Sequence, residues 1–453
     1  MQKLAAYFMD EDPMQKTALS NPFFVPYRWL WRAALPFLHR NARLADGWEE
    51  RLAPENWLEP DFPPDHEGRR VDIWLQAASG GEARLAESIC RNLDASLPVR
   101  LLITTWTRQG RNVIENFLPL LRESHPHLRA AARFAPLDSP DYVRKALACA
   151  RPRLTALLET ELWPGLMAAC KDLSIPVIVL NGRINKPTMR FGKFFPKLVK
   201  SISPGSVLAV SQKDSQRFEA MFSCPARIVQ NIKFDLSLKN LDAPLPDHVL
   251  APCFDGPVFL FASVRSGEIK RLPRYWNLIT QAIPDAVIIA APRHMHSVKE
   301  WKSLAEDLAW RPVLASSLAQ VGKLPHGRVV IWDRFGDLPQ LYALASAVFV
   351  GGTFGQGGQN FLEPLASGIV PCIGPSAENF QWALADEPAP SLEKAGLLHQ
   401  IKTPMEAIQF MLTYANQKIN RDDIRMRYRA WLALRTGGSA ECARQMMDMI
   451  DMP

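Results

Sequence analysis

The chain has 453 residues, 47% of them hydrophobic and 22% charged, with 13 Trp and 22 Phe. That length exceeds what one hydrophobic core supports and predicts two domains, while the composition excludes a disordered or fibrous protein. A formal net charge of +7 suits anionic partners such as phosphorylated substrates or an acidic leaflet, and equally a basic soluble enzyme. The seven cysteines are scattered and form no CxxC pair, which predicts reduced thiols in the cytosol rather than a zinc site or disulfide frame. Asp10, Glu11 and Asp12 argue against a cleavable signal peptide. No run approaches the roughly 20 apolar residues of a membrane-spanning helix.

Residues 22–44 lack acids and carry six aromatics with Arg28, Arg32, Arg40 and Arg43. With the polar extension before it, this segment (1–45) predicts a helix lying in the headgroup region of a membrane. The alternative is a helix packed on the protein. From Val71, apolar runs alternate with helical stretches: VDIWLQAA (71–78), RLLITTWT (100–107), TALLET (155–160) and IPVIVLNG (175–182). Such alternation predicts a doubly wound parallel sheet, here a Rossmann-like domain over 46–236. Residues 237–257, rich in Pro and Asp, read as a linker. A second sheet of the same kind is predicted over 258–410 from VFLFAS (258–263), AVIIAAP (286–292), RVVIWD (328–333), SAVFVGG (346–352) and IVPCIGP (369–375). Residues 411–453 read as helices. Two open α/β sheets place ligand-binding loops at the carboxyl ends of their strands, facing a cleft.

Ser79-Gly80-Gly81-Glu82 joins a strand to a helix, with Glu82 on the first helical turn. A carboxylate there can take a proton from an attacking hydroxyl, or it can simply cap the helix. The helix dipole stabilises its anion and so weakens it as a base. In ETELWP (159–164), Glu159 and Glu161 follow a strand, where they can hold sugar hydroxyls or favour a helix start. Lys186, Arg190, Lys193, Lys197 and Lys200 are spaced 4, 3, 4 and 3 and predict a basic stripe interleaved with Phe191, Phe194 and Phe195. It suits phosphorylated headgroups or is a solvated face, and no nucleic-acid-binding motif accompanies it. In AVFVGGTFGQGGQNFLEPLASG (347–368), five glycines precede a helix predicted to start near Asn360 and run past Glu363. Free amides at that start can hold a phosphate and Glu363 can bind ribose hydroxyls; a structural turn is the alternative. Arg293, after Pro292, can pair with a phosphate, and Phe335-Gly336-Asp337 follows another strand. Lys233 is expected to point a cation into the cleft.

These motifs, in order, resemble the 3-deoxy-D-manno-octulosonic acid (Kdo) transferases, which have the two-domain GT-B fold and move Kdo from CMP-Kdo to a lipid A precursor. The resemblance spans roughly residues 22–385 through Gly81-Glu82, TTWTRQG (104–110), ETELWPGLMAAC (159–170), NGRI (181–184), NIKFD (231–235), APRH (291–294), YALASAVFVGG (342–352) and GGQNFLEP (357–364). It implies Glu82 as catalytic base, with Glu161 and Lys233 supporting the transition state. It places Pro292, Arg293, Phe335, Gly336, Asp337, Asn360, Phe361, Leu362 and Glu363 on the segments that bind CMP. It also implies inversion, no metal or other cofactor, a phosphorylated lipid acceptor, an anionic membrane surface as partner, no nucleic acid, and a peripheral position on the cytoplasmic face of the inner membrane. The chain departs from the family where GGHN reads Gly357-Gly358-Gln359-Asn360 and where STHEGEE reads Ser263-Val264-Arg265-Ser266-Gly267-Glu268-Ile269. The alternatives are a GT-B transferase for another nucleotide sugar such as UDP-GlcNAc, and a non-catalytic membrane-associated relative.

Overall fold

The computed structural model describes residues 18–41, 44–58, 62–160, 162–242, 254–318, 329–355 and 357–451. The chain forms two compact units, one of residues 1–233 with 437–453, the other of residues 234–436.

In the first unit seven parallel strands run in the order β3-β2-β1-β4-β5-β6-β7: β1 Ile73–Gln76, β2 Arg100–Thr105, β3 Arg129–Phe134, β4 Leu154–Leu158, β5 Val177–Gly182, β6 Ser206–Ala209 and β7 Ala226–Ile228. β1 pairs on one side with β2 (Ile73 opposite Leu101) and on the other with β4 (Ile73 opposite Leu154). The winding reverses there, so the loops after β1 and β4 diverge and leave a crevice at their carboxyl ends. All four β1 residues are buried, as a strand covered by helices on both faces requires.

The second sheet has the order β10-β11-β9-β8-β12-β13-β14: β8 Val258–Val264, β9 Val287–Pro292, β10 Val313–Leu314, β11 Val329–Ile331, β12 Ala347–Val350, β13 Cys372–Ile373 and β14 His399–Gln400. Its reversal falls at β8, flanked by β9 and β12. Every residue of β8 is buried, and Phe261 packs on Trp276, which stacks on Trp301 at 6.2 Å. Burying each such side chain stabilises by about 1.5–3 kcal/mol.

Nine strands coincide with the apolar runs of the sequence; β3, β6, β7, β10 and β14 do not, being short or poor in β-branched residues. The expected boundaries shift. The linker predicted from 237 begins inside the helix Ile232–Asp242, and 243–253 lie outside the described residues. Of the helices expected beyond 411, Pro404–Ala415 and Arg421–Ala433 complete the second unit, whereas Gly438–Asp451 packs into the first. Its apolar stripe explains this: Cys442, Ala443, Met446 and Ile450 are buried against that unit. Among the described residues no helix is long and apolar enough to cross a membrane.

Candidate functional site

In the first unit the helix Gly80–Cys90 begins at the reversal point. Ser79 is extended and its hydroxyl accepts the Glu82 amide at 3.4 Å. The Glu82 carboxylate turns back, accepting the Ala78 amide at 2.6 Å and the Ser79 hydroxyl at 3.3 Å. This is a reciprocal cap, so the capping reading of Glu82 holds. The same bonds fix a half-buried carboxylate at the carboxyl end of the central strand.

Across the reversal, Glu159 follows β4 with φ of 52° and Asn181, next to last in β5, has φ of 54°. Holding a side chain in this left-handed region costs roughly 1–2 kcal/mol each. Lys233 donates its ammonium to the Glu159 carboxylate, which also accepts from the Asn181 amide at 3.5 Å. Asn181 in turn accepts the Ile232 amide at 3.0 Å, and Asn231 accepts the Lys233 amide at 3.0 Å. Lys233 thus meets Glu159, while Glu161 lies outside the described residues. Trp106, just after β2, stacks on Trp163 at 4.6 Å, bridging the loops on either side of β1. Arg51 lies 5.1 Å from the Trp106 ring and donates to the Trp106 and Ala135 carbonyls at 2.7 and 2.9 Å. Burial pushes that guanidinium down to about 10.

The N-terminal helix Phe24–Leu38 packs on this unit and also presents an apolar surface. Phe24 is fully buried, the Tyr27 hydroxyl donates to Asp138 at 2.6 Å, and Arg32 pairs with Asp141 at 3.1 Å. Val25, Trp29, Leu30 and Phe37 are each at least 60% exposed. Asp138 also accepts the Gly165 and Leu166 amides, at 2.9 and 2.8 Å. Burial nevertheless pushes its carboxyl up to about 6. The basic stripe runs over two helices, Lys186–Phe194 and Pro196–Ser201, because Pro196 restarts the second at its first position.

In the second unit the glycine-rich loop differs from expectation. The helix starts at Glu363 rather than Asn360 and is one turn long, Glu363–Ala366. The Gly352, Thr353 and Phe354 amides are taken by the carboxylate of Glu268, at 2.8, 3.0 and 3.3 Å. Glu268 also accepts the Arg265 amide at 2.9 Å and is 1% exposed. Burial raises its pKa above the ordinary range even with these amides pulling the other way. A side chain at Gly351 would sit 2.7 Å from that carboxylate, so glycine is required there. Phe361 and Leu362 are buried in the core, Phe361 5.0 Å from Phe380; a donor can reach them only through their backbone. Asn360 is exposed and its side chain donates to Glu363 at 2.9 Å and accepts the Leu362 amide at 3.2 Å. Asp337 accepts from Trp332 at 3.3 Å and pairs with Arg334 at 3.1 Å, while Phe335 is exposed and Gly336 has φ of 98° with open space around it.

Arg293 is exposed just after Pro292 and anchors its amide on the Val264 carbonyl at 2.8 Å. Arg265 occupies the equivalent position on β8, since Val264 pairs with Pro292. Burial first, then Arg265, Arg293 and His296, lower the His294 pKa, so this corner of the sheet is cationic. Glu268 was missed as a site residue because most of its partners lie in the loop after β12, and Arg265 because its place beside Arg293 is set by strand pairing; the trace in sequence is an acid three residues into the turn after β8. Among the described residues no group of three or more His, Cys, Asp or Glu is placed to hold a metal ion.

The model of the family 3-deoxy-D-manno-octulosonic-acid transferase (kdotransferase) matches residues 46–236. The 3-deoxy-D-manno-octulosonic acid transferase of Bordetella pertussis is 28% identical over 441 residues, 94% of this chain and 96% of that protein. The transferase of the same name from Rickettsia bellii is 31% identical over 307 residues, 65% of this chain and 68% of its own. Among solved structures, a glycosyltransferase from Rickettsia africae aligns over 84% of this chain and all of its own with a TM-score of 0.54 at 11% identity. A UDP-N-acetylglucosamine 2-epimerase described as putative, from Listeria monocytogenes, aligns over 84% of this chain and 98% of its own with a TM-score of 0.52 at 13% identity. These two share the fold, GT-B. Sequence similarity along most of its length shows that the chain belongs to the 3-deoxy-D-manno-octulosonic acid transferase family of glycosyltransferases.

Proposed function

We propose that this glycosyltransferase moves Kdo from CMP-Kdo to a glucosamine hydroxyl of a phosphorylated lipid A precursor, a step of lipopolysaccharide inner-core synthesis. The observation that carries this is a capped, half-buried Glu82 at the end of the central strand in a chain of this family. The Glu82 carboxylate, oriented by Ala78 and Ser79, takes the proton of the acceptor hydroxyl. The oxygen attacks the anomeric carbon of Kdo from the face opposite the nucleotide, the bond to CMP breaks, and configuration inverts. CMP leaves as a stable phosphate monoester and needs no protonating acid. Lys233, positioned by Glu159 and Asn231, supplies positive charge near the reacting groups. Glu161 shares that role by resemblance alone.

On the donor side, Arg293 receives the phosphate, the loop at Phe335, Gly336 and Asp337 and the backbone at Pro292, Phe361 and Leu362 shape the nucleotide pocket, and Asn360 with Glu363 meets the ribose. No metal takes part. The exposed aromatics of the helix Phe24–Leu38 and the basic stripe hold the protein on the cytoplasmic face of the inner membrane.

The test is incubation with CMP-Kdo, formed by coupled synthesis, and a tetra-acylated precursor in the presence of EDTA, followed by product mass. Addition of one or more Kdo masses is expected. An unchanged acceptor, or transfer from UDP-GlcNAc instead, overturns the proposal. CMP, and not UDP, is expected to raise the unfolding temperature.

A further inference from the structure

Beside the loop that follows β4 in the first unit lies a cavity of about 320 Å³. Its walls are Leu162, Phe191, Val199, Ile202, Met221 and Phe222, with two threonine hydroxyls, Thr160 and Thr188, among the few polar groups. The helix Lys186–Phe194 supplies one wall and, on its adjoining face, Lys186, Arg190 and Lys193. All three cations are exposed, and among the described residues none of them pairs with a carboxylate. Phe194, 78% exposed, extends the apolar surface outward from the same helix. At the other wall Thr160 directly follows Glu159, the partner of Lys233.

We infer that this cavity is an acyl-chain site that seats one alkyl chain of the anionic lipid acceptor, with the basic face of Lys186–Phe194 meeting its phosphate. The inference rests on the lipid-acceptor reading for its biological ligand. A methylene displaces roughly the volume of a water molecule, about 30 Å³, so the cavity holds about ten carbons of a chain. An apolar interior rimmed by unneutralised cations matches an amphiphile with an anionic head and a single tail. A tail seated here brings its head beside the Glu159–Lys233 pair, so chain length becomes a ruler for the position of the sugar hydroxyl.

The experiment uses the full chain and a series of n-alkyl phosphates from hexyl to hexadecyl, below their micelle-forming concentrations, with affinity read by titration calorimetry. Affinity is expected to rise about fourfold per methylene and then level off near ten carbons. Thr188→Trp, which enters from the rim, is expected to bring the plateau to shorter chains, and Ile202→Ala to move it to longer ones. Lys186→Glu with Arg190→Glu is expected to weaken alkyl phosphates while leaving alkyl alcohols of equal length unchanged. A rise that continues at the same slope through hexadecyl means an open surface and overturns the inference. Binding independent of chain length, or plateaus unmoved by both cavity variants, overturns it as well. No nucleotide sugar enters the measurement, so a failure here is distinct from a failure of the transfer assay.

Discussion

The two units place a carboxylate on backbone amides at the same topological point and use it differently. In the first, Glu82 accepts the Ala78 amide four residues back and remains half-buried. In the second, Glu268 binds amides 84 to 86 residues away and is almost wholly enclosed. A local cap leaves a carboxylate within reach of a ligand, whereas a long-range clasp turns it into part of the loop's frame. A glycine-rich loop beside a central strand is therefore not by itself a phosphate cradle: here its first amides already have an anion.

The largest effect tests the first half of that contrast. Glu82→Ala is expected to lower the transfer rate constant by roughly 10²–10⁴-fold while CMP still protects the second unit against unfolding. Transfer at the unmutated rate sinks the base assignment and leaves Glu82 a cap alone. Glu268→Ala tests the other half: it strands buried amides and is expected to destabilise the second unit by about 3–5 kcal/mol, read by urea unfolding. A loss below about 1 kcal/mol would mean that the clasp does not hold the loop.

Asp138, a fully enclosed amide-bound acid of the first unit, refines the contrast through pH. Its folded pKa of about 6 lies above an unfolded value near 4. The folded state therefore takes up this proton first, and the group's contribution to stability is complete below about pH 4 and lost as pH rises through about 6. Relative to Asp138→Asn, the unmutated chain is expected to lose on the order of 3 kcal/mol between those limits. Parallel stability–pH curves for the two proteins would remove the effect. The smallest change concerns Lys233, one third exposed in its pair with Glu159. Lys233→Met is expected to alter stability by less than about 1 kcal/mol yet slow transfer at saturating substrate. A drop in stability without a kinetic effect would make the pair structural.

The strands buried on both faces were legible because a continuous apolar run such as Phe259–Ala262 or Ile73–Leu75 has few other uses. β3, with the sequence RAAARF at the sheet edge, was not: alanine and arginine have weak strand preference, and its pairing with β2 is a tertiary fact. Glu82 could be found from the Ser-Gly-Gly-Glu pattern because a cap is local. The Glu159–Lys233 pair spans 74 residues and has no local signature, and although Glu268 caps the Arg265 amide locally, its clasp on the glycine-rich loop is set by strand order. Phe361 and Leu362 were placed at the donor by their motif, yet the same residues fill the core. A motif fixes the path of the backbone without saying which way each side chain faces.

The last helix, Gly438–Asp451, has a consequence for the order of events during synthesis. Its Ser439 hydroxyl meets Ser88 at 3.0 Å, and a side chain at Gly438 would strike the Gln230 carbonyl, so the first unit closes only around this segment. Residues 234–436 emerge from the ribosome before it does. The second unit can therefore fold while the first still lacks a wall, with its apolar stripe uncovered. The segment that closes the first unit is thus made after the whole second unit, and removing Gly438–Asp451 is a lesion of the unit that holds Glu82 rather than of the unit next to it in sequence.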